Sequence, residues 1–349
     1  MTPHAARWWR EAGPGKAFCE LCPHGCLLRE GQTGFCGVRR FESGALKSLV
    51  FGATSGICVD PIEKKPLYHF LPGSRVLSFG TLGCTLACDF CQNASLSQEK
   101  EFDQLRPARI DDLVALAKAH DCIGVAFTYN EPIVSSEWCL EVAAAFRQAG
   151  LQTVAVTSGY ISRMAREEFF GAMDATNVDL KSFSETFYKR HCLGSLQPVL
   201  ETLEYLAKEK RVWLEVTTLI IPGENDDERE IRDLAEWMVS HLGPQIPLHF
   251  SAFHPAHRLT DHPRTPSFTL RRAREIAMEC GLAFVYTGNI LDPEGSTTFC
   301  AACGRALIER DGFQVTQNRQ EENRCPDCGT HLPGRFGRFP KEPAVKQTH

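Results

Sequence analysis

Between Arg75 and Leu291 the chain alternates two kinds of hydrophobic pattern. Seven short apolar runs rich in β-branched residues predict strands: VLSFGT from Val76, IGVAFTY from Ile123, LQTVAVTS from Leu151, DATNVDL from Asp174, VWLEVTTLI from Val212, IPLHFSAF from Ile246 and LAFVYTG from Leu282. Six segments with apolar residues every three or four positions separate them and predict helices, starting at Ile110, Val134, Ser162, Leu196, Asp227 and Thr269. Asp, Ser or Thr at several of these starts, and Gly150 and Gly281 at two ends, agree with helix capping. Regular strand–helix alternation requires right-handed crossovers and a parallel sheet. The expected fold is therefore α/β, a partial (βα)6 barrel of the TIM type, with functional residues following the C-terminal ends of the strands.

The first strand leads into GCTLACDFCQN, residues 83–93, which holds Cys84, Cys88 and Cys91 in the spacing C-x3-C-x2-C, with Phe90 before the last. Closed zinc sites and complete ferredoxin clusters take four protein ligands, so three thiolates imply an ion or cluster with one open position. An ordinary zinc loop or three packed cysteines are the plainer alternatives. After the second strand comes TYNEP, where Asn130 and Glu131 suit either a helix start or a ligand contact. After the third, Thr157 or Ser158 could bond a ribose or carboxylate. Asp179 and Lys181 after the fourth form a charged grip or a structural ion pair. The fifth strand leads through Leu219 and Ile221 into a Pro222-Gly223 turn. The sixth ends in HFSAFHP with His249 and His254, of which His254 is better placed for substrate contact or proton transfer.

Two further cysteine groups flank this region. Cys19, Cys22, Cys26 and Cys36, joined by glycine-rich turns, have the ligand count of a closed site for zinc or a second iron–sulfur cluster. His24 between them reads as a loop histidine. Cys300-x2-Cys303 and Cys325-x2-Cys328, each pair followed by glycine, predict a zinc ribbon around a hairpin. Asp60 to Ser74, DPIEKKPLYHFLPGS, reads as a proline-containing connector from which Lys64, Lys65, Tyr68 and His69 could face a substrate. The expected organisation is a small four-cysteine metal-binding module over 1–44, a connector over 45–74, the barrel over 75–291, the ribbon over 296–334 and a disordered tail over 335–349.

Composition narrows the class. The 349 residues are 43% hydrophobic and 23% charged, with a net charge of −5, which argues against a broad nucleic-acid interface. No apolar run has the length of a membrane span and the N-terminus lacks a signal-peptide core, so a cytoplasmic location is expected. In a reducing compartment, the clustering of eleven of sixteen cysteines points to metal rather than disulfides. Cys58, Cys122, Cys139, Cys192 and Cys280 stand singly and are expected in packing.

The motifs CPHGC, GFCGVR, DPIEKKPLYHFLPGS, GCTLACDFCQN, TYNEP, NVDLKSF, IIPGENDD and HFSAFHP, over roughly residues 19 to 330, resemble the radical S-adenosylmethionine (SAM) enzymes. Within them they resemble the enzyme of the AmmeMemoRadiSam system, a relative of the pyruvate formate-lyase (glycyl-radical-enzyme) activases. The resemblance implies that Cys84, Cys88 and Cys91 hold a [4Fe-4S] cluster whose fourth iron is chelated by the methionine end of SAM. It places Phe90, Asn130, Glu131, Ser158, Asp179, Lys181 and His254 around the cofactor, although YNEP here lacks the glycines of the usual GGEP-like turn. It implies reductive cleavage of SAM to a 5'-deoxyadenosyl radical that takes hydrogen from a protein or small-molecule substrate. An electron donor such as flavodoxin or ferredoxin, and companion proteins of the same system, are the implied partners. Two alternatives stand beside it. One is a glycyl-radical-enzyme activase proper, although no ferredoxin-like cysteine insert follows Cys91; the other is a non-catalytic binding protein with zinc at every cysteine site.

Overall fold

A computed structural model describes residues 3–98, 102–209 and 211–337. Its centre is an eight-stranded sheet. In chain order the strands are β1 (Gly56–Pro61), β2 (Arg75–Gly80), β3 (Cys122–Phe127), β4 (Gln152–Thr157), β5 (Ala175–Asp179), β6 (Trp213–Ile220), β7 (Leu248–Ala252) and β8 (Val285–Gly288). They lie side by side in that order; β2 to β8 are parallel and β1 runs antiparallel along the β2 edge. All seven expected strands are present, and the end strands β1 and β8 are not paired with each other, so the barrel is partial.

Six helices make the crossovers: α1 (Ile110–Ala119), α2 (Ser136–Gln148), α3 (Arg163–Gly171), α4 (Gln197–Lys208), α5 (Glu228–His241) and α6 (Ser267–Glu279). Each covers the sheet with one apolar stripe. In α5 the buried positions Ile231, Leu234, Ala235 and Met238 recur at helical spacing, and Asp227 caps the start by accepting from the backbone of Arg229 and Glu230 at 3.0 and 3.3 Å. Covered by these helices, the parallel strands bury most of their residues: in β3, Val125, Ala126 and Phe127 are all buried, and so are polar residues such as Thr176 and Asn177 of β5 and Glu215 of β6. Gly124 permits the close approach of β3 to β4, since a Cβ there would lie 1.9 Å from the Gln152 carbonyl.

Three expected boundaries are corrected. The hairpin of Arg39–Glu42 and Ala45–Ser48 crosses residue 44, so the N-terminal module continues into the supposed connector. That connector also supplies β1, which pairs with β2 from Gly56 opposite Gly80 to Pro61 opposite Arg75. A solvent-facing edge strand needs no apolar run, and most of β1 is exposed, so its sequence carried little strand signal. Finally, residues 335–337 of the expected disordered tail are ordered: Arg335 exchanges backbone hydrogen bonds with His69 and Leu71 at 2.8 and 2.7 Å. Residues 338–349 of that stretch lie outside the described residues.

The N-terminal module is docked through charge. Arg39, 1% exposed, donates to both Glu137 carboxylate oxygens at 2.9 and 3.0 Å, and the Arg7 backbone adds a third bond at 2.7 Å. Arg39 Nη1 serves both carboxylate oxygens and its Nη2 donates to the Arg7 carbonyl at 2.5 Å, so the buried charges are paired and bonded against α2, which offsets part of the cost of burying them. The C-terminal ribbon joins Thr298–Phe299 (β9) to the hairpin Ala306–Asp311 (β10) and Gln314–Asn318 (β11).

Candidate active site

At the C-terminal ends of the parallel strands a cavity of about 600 Å³ opens, and Cys84, Cys88 and Cys91 line it together with Phe90. The loop carrying them is held from several sides. Gly83 has φ of 84°, and a Cβ there would lie 2.4 Å from the Cys36 carbonyl, so only glycine lets the N-terminal module sit this close. Ala87 and Asp89 donate backbone hydrogen bonds to Cys192 and His191 at 2.9 and 3.0 Å, and the Cys91 sulfur lies 3.0 Å from Ser97 Oγ. His24, half-buried rather than free in its loop, bonds the Thr85 carbonyl at 2.7 Å.

Asn130 follows β3 and spends its whole amide on this loop. Its Oδ1 accepts from Thr81 N at 2.7 Å, and its Nδ2 donates to Gly83 O at 2.8 Å and Thr81 Oγ1 at 3.1 Å. The neighbouring Glu131 carboxylate accepts from Ile133 N and Thr157 Oγ1 on one oxygen and from Ser158 N and Oγ on the other, at 2.5 to 3.2 Å. Both side chains line the cavity, yet both also lock its walls. Burial pushes the Glu131 carboxyl up from its ordinary range, with the bonds from Ser158 and Thr157 working the other way. Thr157 and Ser158 are thus drawn to Glu131 as its donors.

Two strands along the sheet, at the end of β5, Lys181 Nζ lies 2.6 Å from Asp179 Oδ2. Burial works against the ammonium, but Asp179 and the Cys88 sulfur outweigh it and hold Lys181 well above its ordinary value. A contact with the Cys192 thiol and the positive charge of Lys181 lower Cys88, against burial, whereas burial and the Glu131 carboxylate raise Cys84. The three cysteines therefore meet unlike fields: Lys181 acts on Cys88 and Cys91, and Glu131 on Cys84.

The two histidines are placed differently from the expectation. His254 is exposed, does not line the cavity, and reaches it only through Gln92 at 3.3 Å. His249 lines the cavity and bonds the buried Glu215 at 2.7 Å. Glu215 also accepts from the backbones of Tyr68 and His69 at 3.0 and 2.8 Å and from Trp213 Nε1 at 2.9 Å, so one carboxylate pins the 62–71 segment into the barrel as the cavity floor. Lys64 and Lys65 line that floor, and both bond Asp60, at 2.9 and 2.7 Å; Tyr129 adds a third bond at 2.6 Å. A second network runs outward from the cysteine loop, from Asp89 to His191 at 2.8 Å, to Glu224 at 2.8 Å and to His262 at 3.0 Å. The contacts that tie separate elements together have no spacing signal in the sequence: Tyr68 and His249 stand 147 and 34 residues from Glu215, and the Asp89–His191–Glu224–His262 partners stand 33 to 102 residues apart.

The flanking cysteine groups differ in geometry. Cys300, Cys303, Cys325 and Cys328 bring their four sulfurs within 4.8 Å of one another. The pairs Cys300–Cys328 and Cys303–Cys325 are 3.5 and 3.7 Å apart. A tetrahedral ion with bonds of about 2.3 Å to sulfur needs edges of about 3.8 Å, so these four fit a single ion. Among the described residues no other group of cysteines gathers this tightly; Cys19, Cys22, Cys26 and Cys36 do not, nor do Cys84, Cys88 and Cys91. Thiolates that each bind a different iron of a cluster stand farther apart than thiolates sharing one ion.

Residues 79–235 match the family model of the radical SAM superfamily. Over 333 residues the chain is 38% identical to the uncharacterized protein MJ0808 of Methanocaldococcus jannaschii, covering 94% of this chain and 98% of that one. The chain belongs to the radical SAM superfamily. This radical SAM enzyme is also 28% identical over 124 residues to the (2S)-3-sulfopropanediol dehydratase activating enzyme of Klebsiella oxytoca, covering 35% of this chain and 38% of the relative. A domain of a pyruvate-formate lyase-activating enzyme from Bacteroides vulgatus superposes with a TM-score of 0.42 at 19% identity over 47% of this chain and 98% of that one, a likeness too distant to bear on function. Membership implies a [4Fe-4S] cluster and SAM. Among the described residues no helix is long and apolar enough to cross a membrane.

Proposed function

We propose that Cys84, Cys88 and Cys91 hold the [4Fe-4S] cluster and that SAM binds beside them in the cavity. The observation that carries this reading is the convergence of three cysteines from one loop on a cavity at the strand ends. When bound, cluster and SAM supply a 5'-deoxyadenosyl radical for hydrogen abstraction. The chain's part is to position and enclose. Asn130 anchors the cysteine loop, Phe90 packs behind it against Phe187, and Lys181 with Asp179 offers charges to the carboxylate and amino group of SAM. Glu131 and Ser158 line the same space, with Glu131 facing the amino group as well as its own donors. His254 is left to the rim, and His249 takes its place facing the substrate.

The substrate is a protein or small molecule. A glycyl-radical-enzyme activase role has partial support from likeness to activating enzymes, which this chain matches over less than half of their length. Membership in the AmmeMemoRadiSam system, with its companion proteins, is proposed from the motif resemblance, as are a flavodoxin- or ferredoxin-like donor and a cytoplasmic location. Zinc is the ion proposed for the C-terminal four cysteines. The looser N-terminal four suit an iron–sulfur cluster better than a single ion.

The test is anaerobic reconstitution with iron and sulfide, followed by dithionite and SAM and chromatography for 5'-deoxyadenosine. Product from the wild type and none from Cys88→Ala is expected. A fully loaded cluster that neither binds SAM nor yields product would return weight to a non-catalytic binding protein.

A further inference from the structure

The C-terminal ribbon is joined to the cavity floor by one buried side chain. Arg310, on β10, donates to the Tyr68 carbonyl at 2.9 Å, to the Ser296 carbonyl at 3.0 Å and to Thr298 Oγ1 at 3.0 Å. Its guanidinium lies 4.0 Å from the Tyr68 ring centroid, and its Nε lies 3.7 Å from Glu63, both side chains being fully enclosed. Tyr68 and Glu63 line the cavity on their other side. The apolar core continues across the same junction: Tyr68, Phe284 and Tyr286 pack with Leu307, Ile308 and the buried ligands Cys300 and Cys325 in one cluster. A module that hung free to capture a partner would not bury an arginine in its neighbour's floor.

The hairpin turn beyond Arg310 carries Phe313, which is 43% exposed and lines the cavity. A large apolar ring on a two-residue turn gains little from folding alone; facing a cavity, it can contact what enters.

We propose that the ribbon is a wall of the catalytic cavity, with Arg310 as its strut, the bound metal as its clamp and Phe313 as a substrate-contacting, specificity-determining residue. This inference rests on the proposed function, since it assigns the cavity its substrate end. The ribbon's metal then acts on the active site: by holding the two C-x-x-C knuckles together it fixes the hairpin whose turn reaches the cavity.

The test uses the full chain, reconstituted anaerobically, with 4-fluorophenylalanine placed at position 313 and, in a separate sample, at Phe268, which is 71% exposed on α6. S-adenosylhomocysteine and dithionite reduction of the cluster are the probes, and fluorine NMR is the readout. The resonance at 313 is expected to shift with S-adenosylhomocysteine and broaden on reduction, while that at 268 does neither. In the double variant Cys303→Ser/Cys328→Ser, which alters the two exposed ligands, the response at 313 is expected to be lost while S-adenosylhomocysteine still binds. A silent resonance at 313 in an enzyme that binds S-adenosylhomocysteine would overturn the wall. A full response in the double variant would overturn the metal's part. Failure of the unlabelled, loaded enzyme to bind S-adenosylhomocysteine would instead bring down the proposed function, and this inference with it.

Discussion

His69 should make this protein sensitive to mild acid. Its ring is completely buried at the junction of floor and ribbon, with Nδ1 2.6 Å from the Pro333 carbonyl and Nε2 2.6 Å from the Tyr286 hydroxyl. A carbonyl only accepts, so the partners assign the proton to Nδ1 and make Nε2 an acceptor. The Tyr286 hydroxyl accepts from Thr298 Oγ1 at 2.9 Å, and Thr298 accepts from Arg310 at 3.0 Å. The hydrogen bonds therefore run in one direction, from Arg310 through a neutral imidazole to Pro333. A second proton, on Nε2, would meet the hydrogen of Tyr286 and force the run to reverse. Burial is the main cause that pushes His69 down from 6.5 to about 4, against the attraction of Glu215. Because the folded value lies below the unfolded one, the neutral ring contributes stability that is complete above the unfolded value and is lost as pH falls towards the folded one. For these two values the loss between pH 7 and pH 5 is about 2 kcal/mol, and about 3 kcal/mol when complete. The assay is urea unfolding of the metal-loaded protein at pH 7 and pH 5, compared with His69→Gln. Glutamine can still donate to Pro333 and accept from Tyr286, but it cannot titrate. Other groups titrate alike in both proteins, so the difference in their pH dependence isolates His69. Equal loss of stability in wild type and variant would refute the reasoning.

Three more outcomes are expected. Cys192→Ser should keep cluster absorbance and deoxyadenosine formation, because Cys192 neighbours Cys88 without being counted as a ligand; loss of the cluster would mean four protein thiolates and no open iron. Glu131→Gln should leave at least one of its four buried donors unmatched, costing about 1–3 kcal/mol in urea unfolding and weakening SAM binding in equilibrium dialysis. An unchanged SAM affinity would restrict Glu131 to a structural role. Asp227→Ala removes the α5 cap and should lower stability by about 1 kcal/mol with no change in SAM binding, since the cap is exposed and makes only local bonds.

Seven parallel strands and six helices were legible in the chain because their signals are local. The period of two or of 3.6 residues follows from backbone geometry, and an apolar run that obeys it reports its own conformation. The cysteine spacings were legible for the same reason, since ligands on one loop or one hairpin stand close in sequence. An edge strand escapes that logic: β1 buries too little to need an apolar pattern, and only its pairing with β2 reveals it. Apart from close pairs such as Asp179 with Lys181, which polar side chains meet was settled by the tertiary structure. Glu215 holds the backbone of Tyr68 across 147 positions, and Arg310 holds the Tyr68 carbonyl across 242. His249 faces the cavity while His254 faces solvent, although both belong to one motif, because β7 ends at Ala252 and the chain has left the barrel wall before His254. The ribbon's spacing announced a metal cage, but its place as part of the cavity depended on where the chain returned after β8. Local sequence determines which elements form; their packing determines which distant donors and acceptors must satisfy one another once water is excluded.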